Sequence, residues 1–305
     1  MTAKYVDIDK SLIRNLSKRS NLWGFWLTFH VWAVIITAGL LFILWPNPFS
    51  FVLAVIIIGS RQHGLAILMH DAAHSALFED RKINDFVGKW LLAAPYGGDL
   101  KAYRKYHLVH HKYTQTDRDP DLVLSNKFPV TKQSLIRKFL RDISGITFLR
   151  IQIATFRLRR GKDVSLKGTD AFEATSFWPT LITNAVILGT LTFAGCWWAY
   201  FALWLLPHMT VFWVVLRLRN IAEHAMTDHS DNPLTHARTT KTNWLTRSIL
   251  SPYWVNYHVE HHAYMFVPCF NLPKLHKAFE GDGYDKKMDC KSGYIQVLKS
   301  VLVPA

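Results

Sequence analysis

Four long apolar stretches punctuate the chain, at 22–45, 49–69, 177–194 and 196–216, and Arg61 is the only Lys or Arg inside them. Each runs for roughly 18 to 24 residues, enough at about 1.5 Å per residue to cross a hydrocarbon layer about 30 Å thick. The first two are joined by Trp45-Pro46-Asn47-Pro48-Phe49 and the last two by Ala194-Gly195-Cys196. Both links are short, uncharged and rich in residues that break helices, so the runs are expected to form two helical hairpins. The predicted fold is all-α and integral to a membrane. Four transmembrane helices carry a helical cap formed by 70–175 and 217–305, and 1–305 is one domain. Between 131 and 167, Leu135, Ile136, Phe139, Leu140 and Ile143 alternate with Lys132, Arg137, Lys138 and Arg141 at helical spacing. That pattern predicts a basic amphipathic helix lying on the membrane surface.

Composition explains where the apolar residues go. Half of the 305 residues are hydrophobic, with 12 Trp and 19 Phe, while the net charge is +14. A soluble basic domain does not carry that much apolar sequence. Of the 36 Lys and Arg, 5 precede the first run, 19 lie between Ser75 and Thr175, and 11 follow Leu216. Neither hairpin tip has any. The positive-inside rule then predicts that both termini and the cap are cytoplasmic, in a bacterial inner membrane or its equivalent. Orientation and anionic headgroups account for the basic charge, so no nucleic-acid partner is expected. Cys196, Cys269 and Cys290 are scattered and form neither a disulfide framework nor a CxxC motif, as suits a reducing compartment. The polar start, Met1 to Ser20, does not read as a cleavable signal.

The candidate chemistry is histidine. His70 and His74 (HDAAH), His107, His110 and His111 (HLVHH), and His258, His261 and His262 (HVEHH) recur at spacings of three and four. Such residues share a helix face and can aim at one point. His224 in Asn220-Ile-Ala-Glu-His224 is a ninth candidate, with Asn220 one turn earlier. One ion takes roughly four to six ligands, so two metal ions are the natural count. Single histidines elsewhere (His30, His208, His229, His236 and His276) read as packed structural residues. Imidazole suits zinc, iron, copper and nickel alike. A structural zinc site would stop at four ligands, whereas nine nitrogens around two ions leave positions open for oxygen.

These boxes resemble those of the membrane-bound fatty acid desaturase superfamily, which also includes hydroxylases and carotenoid ketolases. The likeness is carried by HDAAH at 70–74, YRKYHLVHH at 103–111 with TDRDPDL at 116–122, RNIAEH at 219–224, and NYHVEHH at 256–262 with VPCFNLPKLH at 267–276. The resemblance implies a non-haem di-iron centre at the cytoplasmic ends of four membrane helices. Its ligands would be His70, His74, His107, His110, His111, His224, His258, His261 and His262, with Asn220 reaching one iron through water. It further implies activation of molecular oxygen and removal of hydrogen from an unactivated methylene of a lipid or acyl substrate. The outcome is a double bond or, alternatively, a hydroxyl or keto group. HVEHH departs from the QxxHH variant of front-end desaturases. No haem electron-carrier domain is recognised in the sequence, so a separate ferredoxin or cytochrome b5 with a reductase is expected to supply electrons. A zinc hydrolase would need fewer ligands and a free base. A haem carrier would place single histidines within the spans.

Carboxylates near the boxes are expected to hold ligand rings by accepting their second N–H: Glu223 and Glu260 first, then Asp71 and Asp119, with Asp117 and Asp121 as further candidates. Asp119-Pro120-Asp121 also reads as a turn. Arg61, Gln62 and His63 interrupt the second run, where an ionised group usually faces a cavity or a partner. They are candidates for lining a substrate tunnel or meeting a polar headgroup, and structural pairing of Arg61 is the alternative.

Overall fold

The computed structural model describes residues 5–160 and 177–303. After a short α1 (Lys10–Leu16), α2 (Asn21–Leu44) begins at Ser20, whose hydroxyl accepts the Trp23 N–H, and stops before Pro46. α3 (Pro48–Ala73) starts from a reciprocal cap in which Asn47 and Ser50 bond each other's backbone N–H. Pro48 suits this first turn because its missing N–H would have had no partner there. The helices return along each other. Phe42 meets Phe51 at 5.2 Å near the turn, and Gly24 faces Leu77 and Phe78 at the other end.

Among the described residues, three helices are long and apolar enough to cross a membrane: Asn21–Leu44, Pro48–Ala73 and Tyr200–His224. The third predicted run, 177–194, forms α9 (Trp178–Phe193), which has 16 residues. At ~1.5 Å per residue that is about 24 Å, short of the ~30 Å hydrocarbon layer. Gly195, at φ 75°, turns the chain toward the last long helix. That helix opens as a wide π turn (Tyr200–Leu205), passes through α10 (Leu206–Met209), breaks at Thr210 and continues as α11 (Val211–His224). Pro207 lacks an N–H and crowds the preceding turn, which accounts for the wide coil before it.

The remaining elements gather at the ends of α3 and α11. α4 (Arg81–Val87) leads through a π turn (Gly88–Ala93) to α5 (Leu100–Tyr113), which is capped by Asp99 accepting the Ala102 N–H at 3.0 Å. α6 (Leu122–Ser125) precedes α7 (Lys132–Ile143) and α8 (Ile146–Arg159). On α7, Leu135 is buried while Ile136, Leu140 and Ile143 are exposed, and residues 161–167 of the expected amphipathic segment lie outside the described residues. Asp142 of α7 pairs with Arg217 of α11. α12 (Trp244–Leu250), α13 (His258–Ala263), α14 (Leu272–Gly281) and α15 (Tyr294–Ser300) complete the α-helices among the described residues. The all-α expectation misses one feature. Arg238–Thr240 and Asp289–Lys291 form a two-stranded parallel sheet, β1 and β2, pinned by the Arg238–Asp289 ion pair at 2.8 Å. The three cysteines are free.

Candidate metal centre

Four elements deliver the predicted histidines. His70 lies in the last turn of α3 and His74 caps it; α5 carries His107, His110 and His111; α11 ends on His224; and α13 presents His258, His261 and His262. All are buried except His111, which is partly exposed. Their nitrogens fall into two groups. One nitrogen from each of His70, His74, His107, His111 and His261 lies within 4.8 Å of the others, and His110, His224 and His262 form a second such group. His258 joins the second, its Nε2 lying 2.9 Å from that of His224 and 3.1 Å from that of His262. The groups interleave because the boxes do. On α5, His107 and His111 are one turn apart and serve the first group, while His110 serves the second.

The spacing of these nitrogens is informative. His111 Nε2 is 3.0 Å from the Nε2 atoms of both His107 and His261. A nitrogen–metal bond of about 2.1 Å places two ligands at right angles about 3.0 Å apart. Hydrogen bonding accounts for such distances less well, since one Nε2 proton cannot point at two acceptors at once. Moreover, His70 Nε2 and both nitrogens of His74 are buried without a protein partner. Bare buried imidazole nitrogens are costly unless something occupies the space between them. The donor set therefore fits two imidazole-binding cations.

The electrostatics agree. Burial pushes His74 down to about 3 and holds His107, His111, His258, His261 and His262 well below the usual histidine range, with repulsion between neighbouring rings adding to the effect. These rings are neutral at pH 7, the form that binds a metal. His110 is the exception. Burial lowers its pKa, but the Asp121 and Asp119 carboxylates outweigh that and raise it.

The predicted supporting carboxylates divide. Asp119 accepts from His110 Nδ1 at 2.8 Å and is itself fixed by the backbone N–H groups of Gln115 and Asp121, each at 2.8 Å. Asp121 accepts from the Tyr106 hydroxyl, and Asp117 is exposed. Glu260 holds no ligand ring. It turns to the far side of α13, accepting from Thr239 Oγ1 at 2.6 Å and pairing with His276 Nδ1 at 2.5 Å. Glu223 binds Arg219 Nε at 2.6 Å, and its other oxygen lies 3.6 Å from His258 Nε2 on the side where the rings converge. Asp71 accepts the Cys269 N–H at 2.8 Å and stands 3.6 Å from His70 Nδ1, too far for a hydrogen bond. Asn220 is half-buried one turn before His224. Arg61 sits over the Tyr253 ring at 5.8 Å, and Tyr253 in turn meets His30 Nδ1 at 3.1 Å. Arg61 thus has a structural partner, while Gln62 and His63 are fully buried.

Several supporting groups had no clear signal in the sequence. His224 Nδ1 faces the His236 carbonyl at 3.1 Å, and His262 Nδ1 lies 3.4 Å from Thr114 Oγ1. Tyr103 stacks on His107 at 5.1 Å. Backbone carbonyls and stacked rings leave no residue pattern to read. The Arg219–Glu223 pair did leave one, in its i,i+4 spacing.

Comparison with known proteins gives a concordant result. A family profile described as Fatty acid desaturase matches residues 45–292. A dihydrorhizobitoxine desaturase of Bradyrhizobium elkanii is 28% identical over 249 residues, covering 77% of this chain and 69% of its own length. A human sphingolipid delta(4)-desaturase/C4-monooxygenase is 25% identical over 233 residues, 72% of this chain and 62% of its own. A beta-carotene ketolase of a Paracoccus species is 26% identical over 217 residues, 70% of this chain and 74% of its own. The chain thus spans a little over or under two thirds of the first two relatives.

Proposed function

The chain belongs to the fatty acid desaturase family, and from that premise we propose that it is an oxygen-dependent oxidoreductase with two iron ions that introduces a double bond into a fatty acyl chain. The observation that carries this reading is the pair of interleaved histidine groups, with Nε2 atoms 2.9–3.1 Å apart. His70, His74, His107, His111 and His261 would hold one ion, and His110, His224, His258 and His262 the other, with Asn220 acting on the second through water. Bound iron supplies the redox chemistry that lets O2 take hydrogen from an unactivated methylene.

The chain's own residues do the rest. Asp119 orients His110 through Nδ1, leaving Nε2 for metal, and the His236 carbonyl does the same for His224. The buried neutral rings exclude water and present lone pairs. In the overall balance two adjacent methylenes lose one hydrogen each, and O2 leaves as two waters after accepting two further electrons and two protons. A separate ferredoxin or cytochrome b5 with its reductase would deliver those electrons. We further propose four spans, the short α9 being accommodated by local thinning of the bilayer, with the cytoplasmic cap and termini that the charge distribution favours. A second reading, oxygenation rather than desaturation, is favoured by the monooxygenase and ketolase among the relatives.

Iron analysis of the purified chain should give two ions per polypeptide. His261→Ala should lose iron and turnover together, and retained turnover would refute the assignment. Mass spectrometry of products separates the two reactions, since desaturation removes two hydrogens and oxygenation adds one oxygen.

A further inference from the structure

The interruption at Ser60–His63 takes no part in the histidine groups, yet it is deeply buried. Ser60 donates to the Ile249 carbonyl at 2.6 Å, Arg61 is committed to Tyr253, and Gln62 Nε2 donates to the Trp204 carbonyl at 2.8 Å. What is left over is Gln62 Oε1 and both ring nitrogens of His63, all buried and without a hydrogen-bond partner. Both residues are 0% exposed. Leaving such groups bare is costly, and Leu or Phe at either position would avoid that cost. Something that can form hydrogen bonds therefore belongs there.

Position says what. The His63 ring lies 6.0 Å from that of Phe212, and Gln62 bonds Trp204, so both side chains face the Tyr200–His224 helix inside the bundle. His63 precedes His70 by seven residues on α3, two turns along the same helix face. It therefore lies about 10 Å from the first histidine group, on the side away from the cap. A neutral imidazole offers one donor and one acceptor, and the Gln62 oxygen offers an acceptor. A hydroxyl or amide complements that set, and a plain methylene chain does not.

We propose that His63 and Gln62 form a hydrogen-bonding subsite for the substrate, which is a long-chain molecule bearing a neutral hydroxyl, carbonyl or amide group about 10 Å from the oxidised carbon. The position of that carbon rests on the di-iron reading above; the existence of the subsite does not.

The test uses the full chain in lipid nanodiscs, with 1-hexadecanol and n-hexadecane as probes and iron measured in the same preparations. The alcohol should raise the thermal unfolding midpoint by about 3 °C or more over the alkane. His63→Leu should erase the difference, Gln62→Leu should reduce it, and His63→Asn, which keeps a donor and an acceptor, should restore part of it. Equal shifts with the two probes in the unaltered protein would overturn the proposal and assign the site to water. So would an alcohol preference that survives in both leucine variants. Failure of the metal reading would appear separately, as absence of iron in the unaltered protein, and would leave the probe comparison legible.

Discussion

Asp119 connects His110 to the backbone. One carboxylate accepts from His110 Nδ1 and from the N–H groups of Gln115 and Asp121, so it can hold the ring only while the turn after α5 keeps its shape. Asp119→Asn retains the volume but loses the charge that favours His110 as a donor. We expect iron content or activity to fall about 10- to 100-fold, with the loss confined to the second ion, as metal analysis would show. Glu260 presents a contrasting case, since it is as buried as a carboxylate can be and touches no ligand. It ties α13 to β1 through Thr239 and to α14 through His276. Glu260→Ala removes one partner of a buried pair, a change that usually costs about 3–5 kcal/mol. Thermal unfolding should therefore drop sharply, and iron should be lost only as a consequence of unfolding. At this scale the histidine spacing announced which rings converge, but adjacency in sequence misassigned Glu260, because position 260 falls on the face of α13 that packs against Thr239 and His276 rather than the face shared by His258, His261 and His262.

Among the elements, α3 and α11 matter most, since α3 ends in histidines of the first group and α11 in one of the second. Their approach depends on Gly59. A Cβ there would stand 2.6 Å from Val211 Cβ and 3.1 Å from the Pro207 carbonyl oxygen. Gly59→Ala should thus force the helices apart, costing about 1–3 kcal/mol. The effect should register as a lower unfolding midpoint and weaker iron retention, although Gly59 lies eleven residues before His70. Helix identity and approximate ends followed from the apolar runs and from the Pro and Asn residues that bound them. The break at Thr210 and the 16-residue length of α9 did not. Hydropathy locates apolar sequence, whereas helix continuity depends on how Pro207 is accommodated and how the chain packs.

For the whole molecule, burying so many neutral imidazoles makes stability depend on pH. In the unfolded chain each histidine takes up a proton as the pH drops through about 6.5. Folded His74 resists protonation down to about 3, and other rings of the cluster are lowered too. The unfolded state then binds more protons, so the stability is complete above pH 6.5 and is lost as the pH falls below it, by up to about 1.4 kcal/mol per pH unit for each such ring. Unfolding of the metal-free protein followed from pH 7.5 to 5 should show the midpoint falling once the pH passes below about 6.5; a flat profile would contradict the burial of neutral rings. By itself the sequence determined that the chain carries apolar runs of membrane-spanning length and that nine histidines recur at spacings that let them share helix faces, because apolar run length and helical periodicity are local properties of consecutive residues. Only the tertiary structure decided how those nine divide into two groups, which carboxylate supports a ligand and which supports the fold, and that Gln62 and His63 are left without partners. Those outcomes depend on which face of one helix meets another, and no spacing along a single chain encodes that.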